Sequence, residues 1–137
     1  KLRCGGSDAS AFPGIEEVAA FIGTAVVARV PFKATAGLHH PVRHVDASTG
    51  LTMHGFLNLL AAAALAPRAG GEILEQVIAE EDPGAFAFDH DAFIWRGERI
   101  DLSEIARMRR TAFVAYGSCS FAEPVDDLKS LGTLPSP

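Results

Sequence analysis

The sequence predicts an α/β fold of parallel strands joined by helices. Short strand-like runs that end in glycine alternate with runs whose apolar residues recur at helical spacing, and such alternation implies a parallel sheet with right-handed crossovers. A second observation adds a small inserted β-hairpin: over residues 85–100 the apolar period shortens from helical to alternating. Residues 1–137 are expected to form a single domain.

Taken in order, "KLRC" reads as a strand stopped by Gly5 and Gly6. Pro13 and the acidic pair Glu16 and Glu17 then open a helix whose Ile15, Val18, Ala19, Ile22 and Val26 share one side. "VPFKATAG" is a second strand, and a loop rich in His, Ser, Thr and Gly leads from it into "LTMHGFLNLLAAAALA", a helix apolar on nearly all sides. "GGEILEQVIAEED" predicts an amphipathic helix with Ile73, Leu74, Val77 and Ile78 inward. In the hairpin, Phe86 and Phe88 run to a turn at residues 89–91, and Phe93 and Trp95 resume the strand. "DLSE" has the capping-box pattern for a helix reaching about Arg110. "FVAYGSCSF" supplies a last strand, and "EPVDDLKSLG" a terminal helix that Gly132 stops.

Composition narrows the function classes. The 48% hydrophobic and 21% charged content suits a globular chain able to bury a core. Seventeen acidic against 12 basic residues give a net charge of -5 without a basic tract, which argues against a nucleic-acid surface. The longest apolar stretch, around Phe56 to Ala66, is too short for a bilayer, so no membrane partner is expected. Cys4 and Cys119 lie far apart with no CxxC, which argues against structural zinc or a disulfide scaffold and favours a reducing cytoplasm. The chain opens on a strand at Lys1 rather than on Met, which suggests the C-terminal part of a longer protein.

The chemistry gathers around "FKATAGLHHPVRH". Side chains alternate across a strand, so Lys1 and Arg3 share one face, and Lys33 and Thr35 share the matching face of the next strand. A cationic interior face is costly unless used, either to hold an anionic substrate or to lower the pKa of a nucleophilic lysine. The plain alternative is pairing with carboxylates, or exposure on an edge strand. Beyond Gly37, where parallel folds hold ligands, follow His39, His40, Arg43 and His44, with Asp46 behind. His39 and His40 suit acid/base work, while Arg43 and His44 suit anion binding. Pro41 interrupts the HxxxH spacing of His40 and His44, so no metal is assigned and the residues name no cofactor. His54 and Asn58, four apart, form a polar stripe on the apolar helix; the alternative is that His54 caps the helix and Asn58 bonds to backbone. "GSCS", residues 117–120, has the composition of an anion nest, although Glu123, Asp126 and Asp127 oppose it by repulsion. Cys119 is a secondary nucleophile candidate, and His90 is expected in solvent.

The segments "KLRCGG", "PFKATAGLHHPVR", "MHGFLN" and "GSCSFAEPVDDL" together resemble the C-terminal half of a family of uncharacterised bacterial proteins of roughly twice this length. That resemblance spans nearly the whole chain and implies length and context rather than a reaction. "KLRCGG" and "FKATAGLHHPVR" also resemble, at fold level, the late strands of deoxyribose-phosphate-type class I aldolases, which are (β/α)8 barrels. The aldolase resemblance implies a Schiff-base lysine at Lys1 assisted by Lys33, with histidines standing where those enzymes have a glycine-rich phosphate loop. The expectation is therefore the C-terminal half of a (β/α)8-type barrel that self-associates through open strand edges or lacks its N-terminal half. Lys33, His39, His40 and His54 are its catalytic candidates, and Lys1, Arg3, Thr35, Arg43, His44 and Asn58 bind a small anionic or carbonyl metabolite. The alternative is a non-catalytic module whose histidine loop is structural or binds metal at a subunit interface.

Overall fold

A computed structural model describes residues 1–134. In chain order the elements are β1 (Leu2–Arg3), α1 (Ile15–Val27), β2 (Phe32–Thr35), β3 (His44–Val45), β4 (Thr52–Met53), α2 (Phe56–Leu65) and α3 (Gly71–Ala79). They continue with β5 (Phe86–Phe88), β6 (Ala92–Trp95), β7 (Glu98–Asp101), α4 (Leu102–Thr111), β8 (Phe113–Tyr116) and α5 (Ala122–Ser130). The fold is α/β. Its parallel sheet has the order β1-β2-β8, with Leu2 against Ala34 and Phe32 against Phe113. Three parallel strands make an open sheet, and among the described residues no barrel closes.

Alternation along β2 works as the sequence predicts: Phe32 and Ala34 are buried, whereas Lys33 is exposed. On β1, Leu2 is buried while Lys1 and Arg3 are exposed. The cationic face is thus open to water and not an interior face. It escapes the desolvation cost that an enclosed barrel lumen imposes.

Helix α1 starts after Pro13, and the Glu17 carboxylate accepts from the Gly14 N–H at 2.8 Å. By length and apolarity alone the stretch Ala9–Val27 meets the measure of a membrane span. Within it, Val18, Ala19, Ile22 and Ala25 are buried in the core. In α3, Leu74, Val77 and Ile78 point inward as expected, but Ile73 sits at the helix start with 37% of its surface exposed. Leu102–Thr111 follows the "DLSE" box, with Glu104 accepting from the Asp101 N–H at 3.2 Å, and Gly132 stops α5 at φ 69°.

The expected hairpin is a three-stranded antiparallel meander, β5-β6-β7. Its first turn follows the sequence signal, because the Asp89 side chain accepts from the N–H groups of Asp91 and Ala92 at 3.0 and 2.7 Å. Its second turn is Arg96–Gly97, with φ of 46° and 87°, between paired Trp95 and Glu98. Two consecutive left-handed residues are what a two-residue hairpin turn requires. Arginine there replaces the usual Asn or Asp, and its guanidinium pairs with the buried Glu80 carboxylate, which also accepts from Trp95 Nε1 at 3.2 Å. The Arg96 hydrogen bond holds the Glu80 carboxyl below its ordinary range.

Helix α2 is the centre of the core, buried at every position except half-buried Leu60. Such a helix has no water to satisfy its first N–H groups. The loop between β2 and β3 supplies them: the His40 carbonyl accepts from Phe56 N at 3.2 Å and the Pro41 carbonyl from Leu57 N at 2.8 Å. Asn58 fixes the same loop from within, since its Oδ1 accepts from Arg43 N at 2.9 Å. Its Nδ2 donates to the carbonyls of Val77 at 2.8 Å and Glu80 at 2.9 Å, the open end of α3. Gly55 lets the loop pass, because a β-carbon there meets Asn58 Oδ1, the Pro41 carbonyl and Val42 Cα at 2.4 Å each. Asn58→Ala is expected to cost about 3 kcal/mol, since it takes the side-chain partner from the Arg43 N–H and the Glu80 carbonyl and leaves the Val77 carbonyl only the Glu80 N–H. Gly55→Ala is expected to destabilise comparably through the backbone clash, and urea unfolding of both variants against the parent measures the two losses.

Candidate functional site

The C-terminal ends of the parallel strands are drawn together by tight turns. β2 ends at Ala36 and Gly37, both left-handed, with φ of 64° and 71°. Gly5, just beyond β1, lies so close that its added β-carbon meets Gly37 Cα at 3.1 Å. A non-glycine residue at positive φ carries local strain, and here it sits at the rim where parallel sheets hold ligands.

His39 reaches from this rim to the segment after β8. Its Nδ1 lies 3.2 Å from Ser118 Oγ and 3.4 Å from Glu123 Oε2. Both partners meet the same ring nitrogen, so the three residues are not a nucleophile, base and orienting acid, which need opposite nitrogens. What they make is a half-buried imidazole beside a hydroxyl and a carboxylate, able to exchange a proton at Nδ1. His40 Nδ1 lies 2.5 Å from Asp127 Oδ2, one helical turn beyond Glu123 on α5.

Two expectations about this rim change. The 117–120 segment does not make an anion nest, since Ser120 N donates to Ser118 Oγ and Glu123 N to Ser120 Oγ, each at 3.2 Å, and the Glu123 carboxylate faces His39. Glu123 and Asp127, which from sequence read with Asp126 as a repulsive surface, are the partners of the histidines, while Asp126 pairs with Lys129. Their signal was the i, i+4 spacing of Glu123 and Asp127, which places them on one helix face.

The structure takes His54 out of α2. It follows β4 and stands one residue ahead of the Gly55 cap, in a stretch that sequence merges with the helix. His54 is almost completely buried, with Nε2 2.8 Å from the Pro13 carbonyl and Nδ1 3.2 Å from Arg43 Nη1. A carbonyl only accepts and a guanidinium only donates, so the proton is on Nε2 and Nδ1 is the acceptor. Burial lowers the His54 pKa from its ordinary 6.5, the Pro13 hydrogen bond works the other way, and the Arg43 charge adds to the lowering. With both nitrogens committed, His54 has a structural place rather than the acid/base one expected of it. Asn58 likewise serves the backbone, its two amide hydrogens both donated to carbonyls. Arg43, expected as an anion clamp, is turned onto His54 and onto Glu81 Oε1 at 3.4 Å from its Nε.

No family model, curated protein or solved structure matches this chain.

His44 presents a different state. Its Nδ1 lies 3.1 Å from the Val42 carbonyl and donates to it, while its buried Nε2 has no hydrogen-bond partner among the described residues. Its ring stands edge-on to that of His40, centroids 4.3 Å apart, beside a cleft of about 250 Å³ shared with Arg43, Glu81 and Asp127. Lys33, Lys1, Arg3 and Thr35 stay on the sheet face: Arg3 Nε donates to the Gly5 carbonyl at 2.8 Å and Thr35 Oγ1 to that of Leu2 at 3.5 Å. Among the described residues no hydrogen bond or ion pair joins Lys33 to a histidine.

The remaining candidates separate by exposure. Cys4 is buried and its thiol is pushed up to about 12, which makes it inert, while Cys119 is exposed. His90 is in solvent, as expected. It stands between Asp89 and Asp91, and the oxygens of both carboxylates pair with Arg99, which lowers the Asp89 pKa.

The state of His54 sets a pH dependence. Its folded pKa lies below 6.5, so the unfolded chain takes up the proton first as pH falls. The parent is expected to hold its full stability above about pH 6.5 and lose it progressively below. Thermal melts of parent and His54→Gln between pH 7.5 and pH 5 are expected to show a shallower acid loss in the variant; equal slopes would exclude His54 as the cause.

Proposed function

We propose that the chain is a small-molecule enzyme, aldolase- or lyase-like, acting on an anionic or carbonyl-bearing metabolite on the open sheet face of β1 and β2 that leads to their C-terminal ends. One observation supports this reading most: Lys1, Arg3 and Lys33 are exposed on the open face of the parallel sheet, and among the described residues none has an ion-pair partner. Leu2 lies against Ala34 in register, so Lys1 and Lys33 are neighbours across the two strands. Like charges held side by side repel, and a bound anion relieves the repulsion.

In this reading Lys33 acts as the electrostatic or Schiff-base lysine, with Lys1, Arg3 and Thr35 binding the substrate anion. The acid/base role falls to His39 at the rim, because His54 has no free nitrogen. Among the described residues the outer edges of β1 and β8 are unpaired, which supports a homo-oligomer joined through strands.

A second reading is favoured by the histidine loop itself, whose carbonyls cap α2 and whose His39 and His40 fasten α5. It makes the chain a non-catalytic module in which the His44 Nε2, without a hydrogen-bond partner among the described residues, is the atom offered to a metal at an interface. Metal analysis of the purified protein, alone and with His44→Ala, tests it.

For the enzyme reading, borohydride reduction with pyruvate or a simple aldehyde is expected to fix a covalent adduct on Lys33 or Lys1. Lys33→Met is expected to weaken inorganic phosphate or pyruvate binding by about tenfold, the effect of losing one charge-assisted contact. No adduct removes the Schiff-base role, and phosphate and pyruvate binding unchanged in Lys33→Met removes the cationic face as the site.

A further inference from the structure

A second cavity lies on the outer flank of β8. It holds about 390 Å³, within the ordinary range of small-molecule sites, and opens to solvent. Its walls come from α2, β5, β8 and α5, with Phe56, Leu60, Phe88, Phe113, Tyr116 and Leu128 among the side chains that line it. The aromatic rings are braced against each other: Phe56 and Tyr116 stack with centroids 5.0 Å apart, and Phe88 stacks on Phe93 at 4.6 Å. The wall is therefore preformed.

Arg109, in the last turn of α4, supplies the only charged side chain lining this cavity among the described residues, and no carboxylate there pairs with it. Its charge also reaches the Tyr116 hydroxyl, where it opposes the rise that partial desolvation gives the Tyr116 pKa. An apolar wall beside a single cation defines the ligand by complementarity. The body must be apolar, and the head must be an anion able to use the guanidinium fork. One guanidinium balances one negative charge, so a carboxylate fits, whereas a doubly charged phosphate monoester leaves a charge uncompensated beside apolar walls.

We propose that the cleft between α2, β8 and the end of α4 binds a small amphiphilic carboxylate, its hydrocarbon part on Phe56, Phe113 and Tyr116 and its carboxylate on Arg109. This site is independent of the cationic sheet face and stands whether or not that face is catalytic.

Titration calorimetry of the full chain with octanoate, and with octanol as the uncharged match, tests it. Octanoate is expected to bind saturably and more tightly than octanol. Arg109→Ala, on an exposed turn, is expected to weaken octanoate at least tenfold and leave octanol unchanged, with Arg109→Lys between parent and Ala. Leu60→Trp, which fills the cavity, is expected to abolish both while circular dichroism stays that of the parent. No saturable octanoate binding, equal affinity for both ligands, or an octanoate affinity indifferent to both Arg109→Ala and Leu60→Trp overturns the proposal. Concentration-dependent self-association that Leu60→Trp abolishes and octanoate does not compete with assigns the cleft to a second copy instead, and equally overturns it.

Discussion

A buried amide holds this molecule together. Helix α2 is so apolar that its own side chains offer nothing to its first N–H groups or to the polar ends of its neighbours, and Asn58 is the exception in its middle. Through one side chain it fixes the loop at Arg43 and the end of α3 at Val77 and Glu80. Glu80 passes the connection on, because its carboxylate takes Trp95 and Arg96 at the turn of the meander. A continuous polar line thus runs from the histidine loop through the core to the β5-β6-β7 meander, and every member has its partners in place. Such networks rigidify a core when fully satisfied.

The five histidines show how much environment decides what a residue type can do. His54 is held neutral between a carbonyl and a guanidinium. His44 keeps a buried Nε2 that has no hydrogen-bond partner among the described residues. His39 and His40 face carboxylates of α5 at the surface, and His90 stands in water between two aspartates already taken by Arg99. Proton exchange with a ligand requires both a free nitrogen and access, and of the three in the expected catalytic set His39 comes nearest to offering them.

Periodicity made the helices legible, since Val18, Ala19 and Ile22, or Leu74, Val77 and Ile78, leave their spacing on the chain whatever they pack against. Alternation likewise assigned the two faces of β2. It could not say what covers each face, which is why Lys33 read as interior and is exposed. The start of α2 is hidden because Leu51, Met53 and Phe56 carry the helix's apolar character back across Thr52, His54 and Gly55, masking the β3-β4 ribbon and the extended backbone around His54. The third meander strand was missed because its turn uses Arg96 at positive φ, which depends on Glu80 sixteen residues earlier. The partnership of α5 with the histidines was equally long-range, spanning 87 residues between His40 and Asp127.

The N-terminus of α2 is closed by main-chain carbonyls of His40 and Pro41, and Asn58 grips a main-chain N–H. The path of the loop is therefore specified by groups that every residue possesses, and by Gly55 beneath it. The imidazoles at 39 and 40 are consequently replaceable without redrawing the curve that presents them. Scaffold and reagent are written on different atoms of the same thirteen-residue stretch, which leaves this rim open to acquiring new chemistry by side-chain change alone.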